Sequence, residues 1–304
     1  MGFPKYSLLR TVTPSRKIER HMLHQSQMQA PDDRYRALRR LPPFPSVATK
    51  LLHLLEDDNV SVKKIVDLIK ADAALTAELL RIVNSPIYGF SSRISSLQAS
   101  ITMMGFQTVR SFALTVCMKG FLHTALRIDL LRRIWRHSLA CALLCDELSQ
   151  VCSTNMGRDD HAYTAGLLHN IGSLGLFVAH PRTYADLLAD VRGENLLEKE
   201  RSTLGIDHCE AGGWLARNWG FPDDLRHVVI THHADPRHGV FETADLVRVA
   251  VRMTDALGFA FVPPAQELSL ADLRGMLPRE AQYRFDPERE ALTARITARL
   301  DSFD

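Results

Sequence analysis

The chain has 304 residues, 46% of them hydrophobic, which is enough apolar side chain for one large core or two lobes. Its 37 basic and 35 acidic residues leave a formal charge of +2, so no global field draws it to nucleic acid or to an anionic membrane surface. Cys117, Cys141, Cys145, Cys152 and Cys209 form no CxxC pair and lie mostly in apolar helical runs. That is the pattern of reduced thiols. With no apolar run of membrane-spanning length and no secretory block at the start, it predicts a cytoplasmic protein with no membrane partner.

Residues 1 to about 40 are polar and charged, and are expected to form a flexible leader in which Arg34, Arg36, Arg39 and Arg40 are a solvated basic stretch. From Leu41 the chain becomes a series of short helices. Ser46 reads as the N-cap of a helix carrying Val47, Leu51, Leu54 and Leu55. Ser61 caps a second through Val62, Ile65, Leu68 and Ile69, and Asp72 a third through Leu75, Leu79, Leu80 and Val83. Asn84-Ser85-Pro86 ends that third helix, because proline cannot continue it and disfavours helical geometry at the residue before. A further helix ends at Gly105, and another runs from about Gln107 to Cys117. Period-two stretches are almost absent, so the fold class is all-α, a multi-helix bundle. The expected division is an N-terminal helical lobe at 41–130, a C-terminal helical lobe at 131–265 and a helical extension at 266–304. The last helix, through Leu292, Ile296 and Leu300, is amphipathic and is expected to pack on its own protein.

The chemical signal lies in the C-terminal lobe. His137 shares a helix stripe with Ile134, Cys141, Leu144 and Leu148, and Asp255 shares one with Ala244, Val247, Val251 and Gly258. A carboxylate on such a face must be paired, protonated or bound to a cation. A lone histidine on an apolar stripe is ordinarily a hydrogen-bonded core residue. Here His137, the pair His169-Asn170, His208, the pair His232-His233 and Asp255 recur on separate apolar helical segments. Inward imidazoles and a carboxylate from several helices are how a helical protein builds a metal or phosphate-processing site. The remaining histidines, such as His53, His123 and His227, share no pattern and read as incidental.

Leu41-Pro42-Pro43-Phe44-Pro45, Asp72-Ala73-Ala74-Leu75-Thr76, Arg81-Ile82-Val83-Asn84-Ser85 with Tyr88-Gly89, Ile94-Ser95-Ser96-Leu97 and Ile101-Thr102-Met103-Met104-Gly105 follow one another in order. Over roughly residues 40 to 240 the chain resembles the HDOD family, bacterial output domains related to the HD metal-dependent phosphohydrolases. In that resemblance Gly166-Leu167-Leu168-His169-Asn170-Ile171-Gly172 matches the segment of the His-Asp doublet. His137 matches the histidine of the preceding helix, His208, His232 and His233 match the later histidines of the HD-GYP branch, and Asp255 matches the closing aspartate.

The chain departs from those enzymes where charge matters. Asn170 stands in place of the metal-bridging aspartate, Ser173 in place of the HD-GYP lysine, and Ala234-Asp235-Pro236-Arg237 follows His233 without the GYP signature. Two dications about 4 Å apart repel by about 4 kcal/mol even at water's dielectric constant, and an amide does not offset that. The resemblance therefore implies one divalent transition ion (Fe, Mn, Zn or Ni) rather than two, held by His137, His169 and Asp255 with Asn170 beside them. It also implies a signal-transduction module that acts through protein partners, with a nucleotide as a further ligand, rather than an enzyme. The alternative is a metal-dependent phosphohydrolase acting on a nucleotide or cyclic dinucleotide through a site reorganised around His208, His232 and His233. The N-terminal lobe, without inward polar residues, is expected to be the interaction surface.

Overall fold

Side-chain caps set several of the helix starts. In the computed structural model, which describes residues 33–54, 61–123, 125–152, 161–191, 196–237, 241–264 and 266–303, α1 is Ser46–His53, α2 Val62–Lys70, α3 Ala73–Val83, α4 Leu97–Met104 and α5 Phe106–Leu122. Ser61 accepts from Lys64 N at 3.3 Å and Asp72 from Leu75 N at 3.0 Å, each satisfying an amide that has no partner inside its helix. Ser46 is a correction. It is the first helical residue, and the cap position falls to Pro45, whose carbonyl already accepts the first helical bond from Thr49 N at 2.9 Å. Asn84 ends α3, and its side chain holds the following link by bonding Ile94 N and Ile94 O at 2.8 Å each. Gly105, at φ +84°, turns the chain directly from α4 into α5, which runs to Leu122, past the end expected at Cys117.

The second half continues as α6 Asp129–Cys152, α7 Ala162–Leu168, α8 Ile171–Ala179, α9 Pro181–Asp190, α10 Leu196–Leu204, α11 His208–Asn218, α12 Asp223–Thr231 and α13 Thr243–Thr254. A π-helical turn, Asp255–Phe259, follows α13, and α14 Leu270–Gly275, α15 Arg279–Arg284 and α16 Arg289–Asp301 complete the chain. The described residues contain no strand, so the architecture is all-α.

Buried apolar side chains from Leu38 to Phe303 form one continuous cluster, and the segments expected as two lobes share it. Phe44, at the entry to α1, lies 5.2 Å from the Trp219 ring and 5.0 Å from that of Phe221, both just past α11. The C-terminal α16 lays Leu292, Ile296 and Leu300, all fully buried, into the same cluster, and Arg295 reaches Glu147 of α6 at 2.8 Å. The last helix thus packs on its own protein, as its amphipathic pattern predicts.

The leader needs correction where it can be seen. Residues 1–32 lie outside the described residues, but Asp33–Tyr35 and Leu38–Arg40 form two short 3-10 turns docked on the body. Tyr35 stacks on Trp214 with centroids 5.4 Å apart, and Leu38 is buried. The buried Leu38 contributes about 1.5–3 kcal/mol to anchoring this basic segment, and the half-buried Tyr35 adds its stacking contact.

Glycines set the spacing around the central helices. A Cβ on Gly166 would lie 2.8 Å from the Ala142 Cα, so α7 can press against α6 only without a side chain there. A Cβ on Gly172 would lie 1.8 Å from the carbonyl oxygen of His208. That contact brings the start of α8 onto the first turn of α11, and with it His169-Asn170 towards His208.

Candidate metal centre

His169 and Asn170 occupy the break between α7 and α8, both buried. His169 Nδ1 donates to Gly166 O at 2.7 Å, and His232, just past α12, uses its Nδ1 in the same way on Val229 O at 2.9 Å. His137, inside α6, has Nδ1 3.3 Å from Phe259 O. A carbonyl can only accept, so each of these rings carries its proton on Nδ1 and leaves the Nε2 lone pair free. His208, first residue of α11, directs Nδ1 to Glu200 Oε2 at 2.7 Å. The same carboxylate accepts from the His208 backbone amide at 2.8 Å and, through Oε1, from the Tyr184 hydroxyl at 2.6 Å.

The free nitrogens meet. His208 Nε2 lies 2.9 Å from His233 Nε2 and 3.3 Å from His232 Nε2. Two nitrogens bound to one ion at about 2.0–2.1 Å each, at angles of about 90–110°, stand about 2.9–3.4 Å apart. The spacing fits. The rings continue as a string, His232 to His169 at 5.0 Å and His169 to His137 at 5.4 Å between centroids, and Asp255 Oδ1 closes it 3.5 Å from His137 Nδ1. Engaging the distal ring nitrogen of a ligating histidine with a carbonyl or carboxylate is the usual outer-shell arrangement of metal sites.

Protonation follows from burial and neighbours. Burial pushes His137 down to about 3, with the adjacent His169 adding to it. Burial, then His233, holds His232 well below its ordinary value. His233, exposed at the pocket mouth with its ring against its neighbours, is also lowered, by desolvation of that ring and by the charge on His208. Burial opposes a charge on His208 too, but the Glu200 carboxylate overrides it and raises that group well above the ordinary histidine range. Without an ion His208 is therefore the charged ring, beside His232 and His233 as neutral imidazoles ready to act as ligands. Asp255 is pushed up to about 7, by burial and by the nearby Cys141.

Asn170 carries the clearest anomaly. Its side chain is buried, and neither Oδ1 nor Nδ2 has a partner; Ser173, one turn on, is buried as well, with the Tyr184 hydroxyl beside it. Both lie where the resemblance expects a charged group. Buried polar atoms without partners are rare and point to a ligand, ion or water. Asn170 faces a pocket of about 890 Å³ lined also by His137, His169, His232, His233, Arg252 and Asp255.

The structure thus gathers all seven residues singled out in the sequence. Their grouping differs from the expectation in one respect. The single ion was expected among His137, His169 and Asp255, but the ring nitrogens that approach to 2.9 and 3.3 Å are those of His233 and His232 with His208. Asp255 faces Nδ1 of His137, the nitrogen already turned towards Phe259 O. This follows from the π-helical turn after α13, where Gly258 at φ +91° brings the Phe259 carbonyl back over His137.

Glu200, Tyr184 and Cys209 escaped the sequence reading. Glu200 sits among Glu198, Lys199 and Arg201 and looks like one charge of a solvated face, yet it is fully buried. Cys209 had a signal that could have been used, a thiol next to a candidate ligand.

The HDOD domain family matches residues 41–235, well over half the chain. The chain belongs to the HDOD family. A protein of Treponema pallidum (strain Nichols), described as uncharacterized, is 25% identical over 198 residues, covering 64% of this chain and 38% of that protein. The chain thus spans well under half the length of the curated relative it matches. Among solved structures, an HDOD domain protein of unknown function from Geobacter sulfurreducens is 21% identical with a TM-score of 0.65, covering 89% of this chain and 96% of its own. A candidate signal transduction protein from Marinobacter aquaeolei VT8 has a TM-score of 0.68 at 21% identity, over 94% of this chain and 66% of its own. A candidate metal-dependent phosphohydrolase from Shewanella amazonensis SB2B has a TM-score of 0.57 at 22% identity, over 88% and 96%. At these identities the likenesses carry the fold. No described helix is long and apolar enough to cross a membrane.

Proposed function

We propose that this HDOD chain is a cytoplasmic signal-transduction module that acts by binding protein partners, and that its histidine cluster holds one divalent transition ion without turning over substrate. The observation that carries this reading is Asn170, a buried amide with both polar atoms free at the position where a bridging carboxylate would hold two ions together. A bound dication would supply Lewis acidity and an acidified water. The chain's own groups do not complete a hydrolytic site. Asn170 adds no charge between two ions, and Ser173 offers no cation to a phosphate. His232 and His233, both held neutral, bind the ion, and Glu200 orients His208 towards it.

The second reading, a phosphohydrolase acting on a nucleotide or cyclic dinucleotide, draws on the pocket, which is roomy and carries Arg252 on its wall. Signal-transduction and phosphohydrolase descriptions both occur among the structural neighbours, so the two readings need a direct assay. Purified protein supplied in turn with Mn, Fe, Zn and Ni is incubated with a panel of phosphodiesters, nucleotides and cyclic dinucleotides. No turnover is expected; turnover that His169→Ala abolishes would establish the phosphohydrolase instead. A nucleotide that binds without being hydrolysed would fit the module as its ligand.

A further inference from the structure

The imidazole cluster has a fourth neighbour of different chemistry. Cys209 follows His208 in the first turn of α11, is only 7% exposed, and offers a ligand atom within 4.8 Å of those of His208, His232 and His233, all four lying within that distance of one another. Resting on the single-ion reading above, we propose that Cys209 is a thiolate ligand that completes a closed four-coordinate site with His208, His232 and His233, and that the site takes zinc.

Both residue pairs are held before any ion arrives. Asp207 caps α11 by accepting from Glu210 N at 2.8 Å, while Glu210 accepts from Asp207 N at 3.3 Å, so the turn bearing His208 and Cys209 is fastened from both sides. Ahead of His232 and His233, Arg248 bonds Thr231 O at 3.0 Å and Thr231 Oγ1 at 2.8 Å, and is itself anchored on the buried Asp245 at 2.7 Å. Ligands locked in this way lose little freedom on binding, which favours tight and geometrically selective coordination.

Charge points the same way. A dication in so buried a place needs compensation, and the loss of the family's aspartate at Asn170 removed one source. One dication, one thiolate and the Glu200 carboxylate behind His208 sum to no net charge. As the ion enters, the thiol proton of Cys209 and the proton on His208 pass to solvent, so no co-reactant is required. A thiolate among three imidazoles suits zinc over manganese or magnesium, which prefer oxygen ligands. Four protein ligands in a tetrahedron leave no open position for a water, which is what distinguishes a structural zinc site from a catalytic one. The ion would then fix α11 against α12 and hold a surface for partners.

Full-length protein freed of metal and loaded with cobalt(II) tests this. The expected result is one equivalent bound, with tetrahedral visible bands and a thiolate-to-cobalt charge-transfer band in the near ultraviolet. Cys209→Ser should abolish the charge-transfer band and weaken zinc binding by at least about tenfold. Cys141→Ser, at the thiol beside His169, should leave the band intact. X-ray absorption of the zinc-loaded native chain needs no variant to fold, and should show one sulfur at about 2.3 Å. An ion bound through nitrogen and oxygen alone overturns the role of Cys209 while the single-ion module stands. A folded chain that takes up no dication overturns both.

Discussion

Asn170 differs from aspartate by one atom and one charge, which makes it the place where metal number can be tested apart from packing. Asn170→Asp restores a carboxylate beside His169 on the pocket wall with almost no change in shape. Metal content measured on folded, metal-supplied protein should rise from one equivalent towards two, because the added charge offsets the repulsion of about 4 kcal/mol between neighbouring dications. Equal content in parent and variant would mean that the ligand set is fixed by His208, His232 and His233 alone. The titrating groups make a second, independent statement about the metal-free protein. His137 is lowered to about 3 and His232 well below its ordinary value. Between those values and about 6.5 the unfolded chain therefore binds more protons than the folded one, and stability falls as the solution is acidified. Asp255, raised to about 7, opposes one of them, since its protonated form is favoured in the folded state. With His233 lowered as well, three imidazoles against one carboxyl leave a difference of two protons, so the net loss should be on the order of 2.7 kcal/mol per pH unit between about pH 6.5 and pH 4. Above that point the raised His208 gives the opposite slope, because the stability it draws from Glu200 is lost as pH rises through its folded value. Urea denaturation at several pH values should show stability falling as the pH drops below about 6.5; stability rising steadily towards acid would contradict these assignments.

At the scale of elements, the site depends on how closely α8 approaches α11. Gly172 allows that approach, and a methyl group there would overlap the His208 carbonyl at 1.8 Å. Backbone atoms on both sides leave no flexible neighbour to move aside. Gly172→Ala should therefore cost more than about 3 kcal/mol, at the severe end for a single substitution, and should separate His169-Asn170 from His208. Thermal melting and metal content measured together would check it. A stable variant with unchanged metal binding would show that the contact is not what sets the cluster. The same logic explains which elements were legible. Ser61, Asp72, Pro86 and Gly105 act through their own backbones and near neighbours, so their positions mark helix ends in the sequence as they do in the structure. Ser46 did not, because the proline before it took the cap.

Over the whole molecule, the continuity of the core bears on any attempt to divide it. Phe44 packs on Trp219 and Phe221, and Phe303 meets Phe112 edge-on at 5.2 Å, so both ends of the chain cross the boundary expected near residue 130. A fragment beginning at residue 131 would expose the apolar faces that α1 and α5 cover. It should show no cooperative unfolding transition and should aggregate, whereas the full chain should unfold in one step. A soluble fragment that melts cooperatively and retains its metal would mean that the C-terminal helices form a domain of their own.

By itself the sequence determined the helical class, the caps at Ser61 and Asp72, the recurrence of imidazoles on inward stripes, and the loss of charge at Asn170 and Ser173. Each of these is local, set by periodicity, by a side chain beside its own backbone, or by the identity of one residue. Tertiary structure decided the rest. It brought Glu200 under His208 from a helix that reads as solvated, set the Nε2 atoms of His232 and His233 within 3.3 Å of that of His208, and placed Cys209 among them. Those relations join segments that no periodicity connects, and they exist only because glycine-thinned helices pack closely enough for distant side chains to share one buried space.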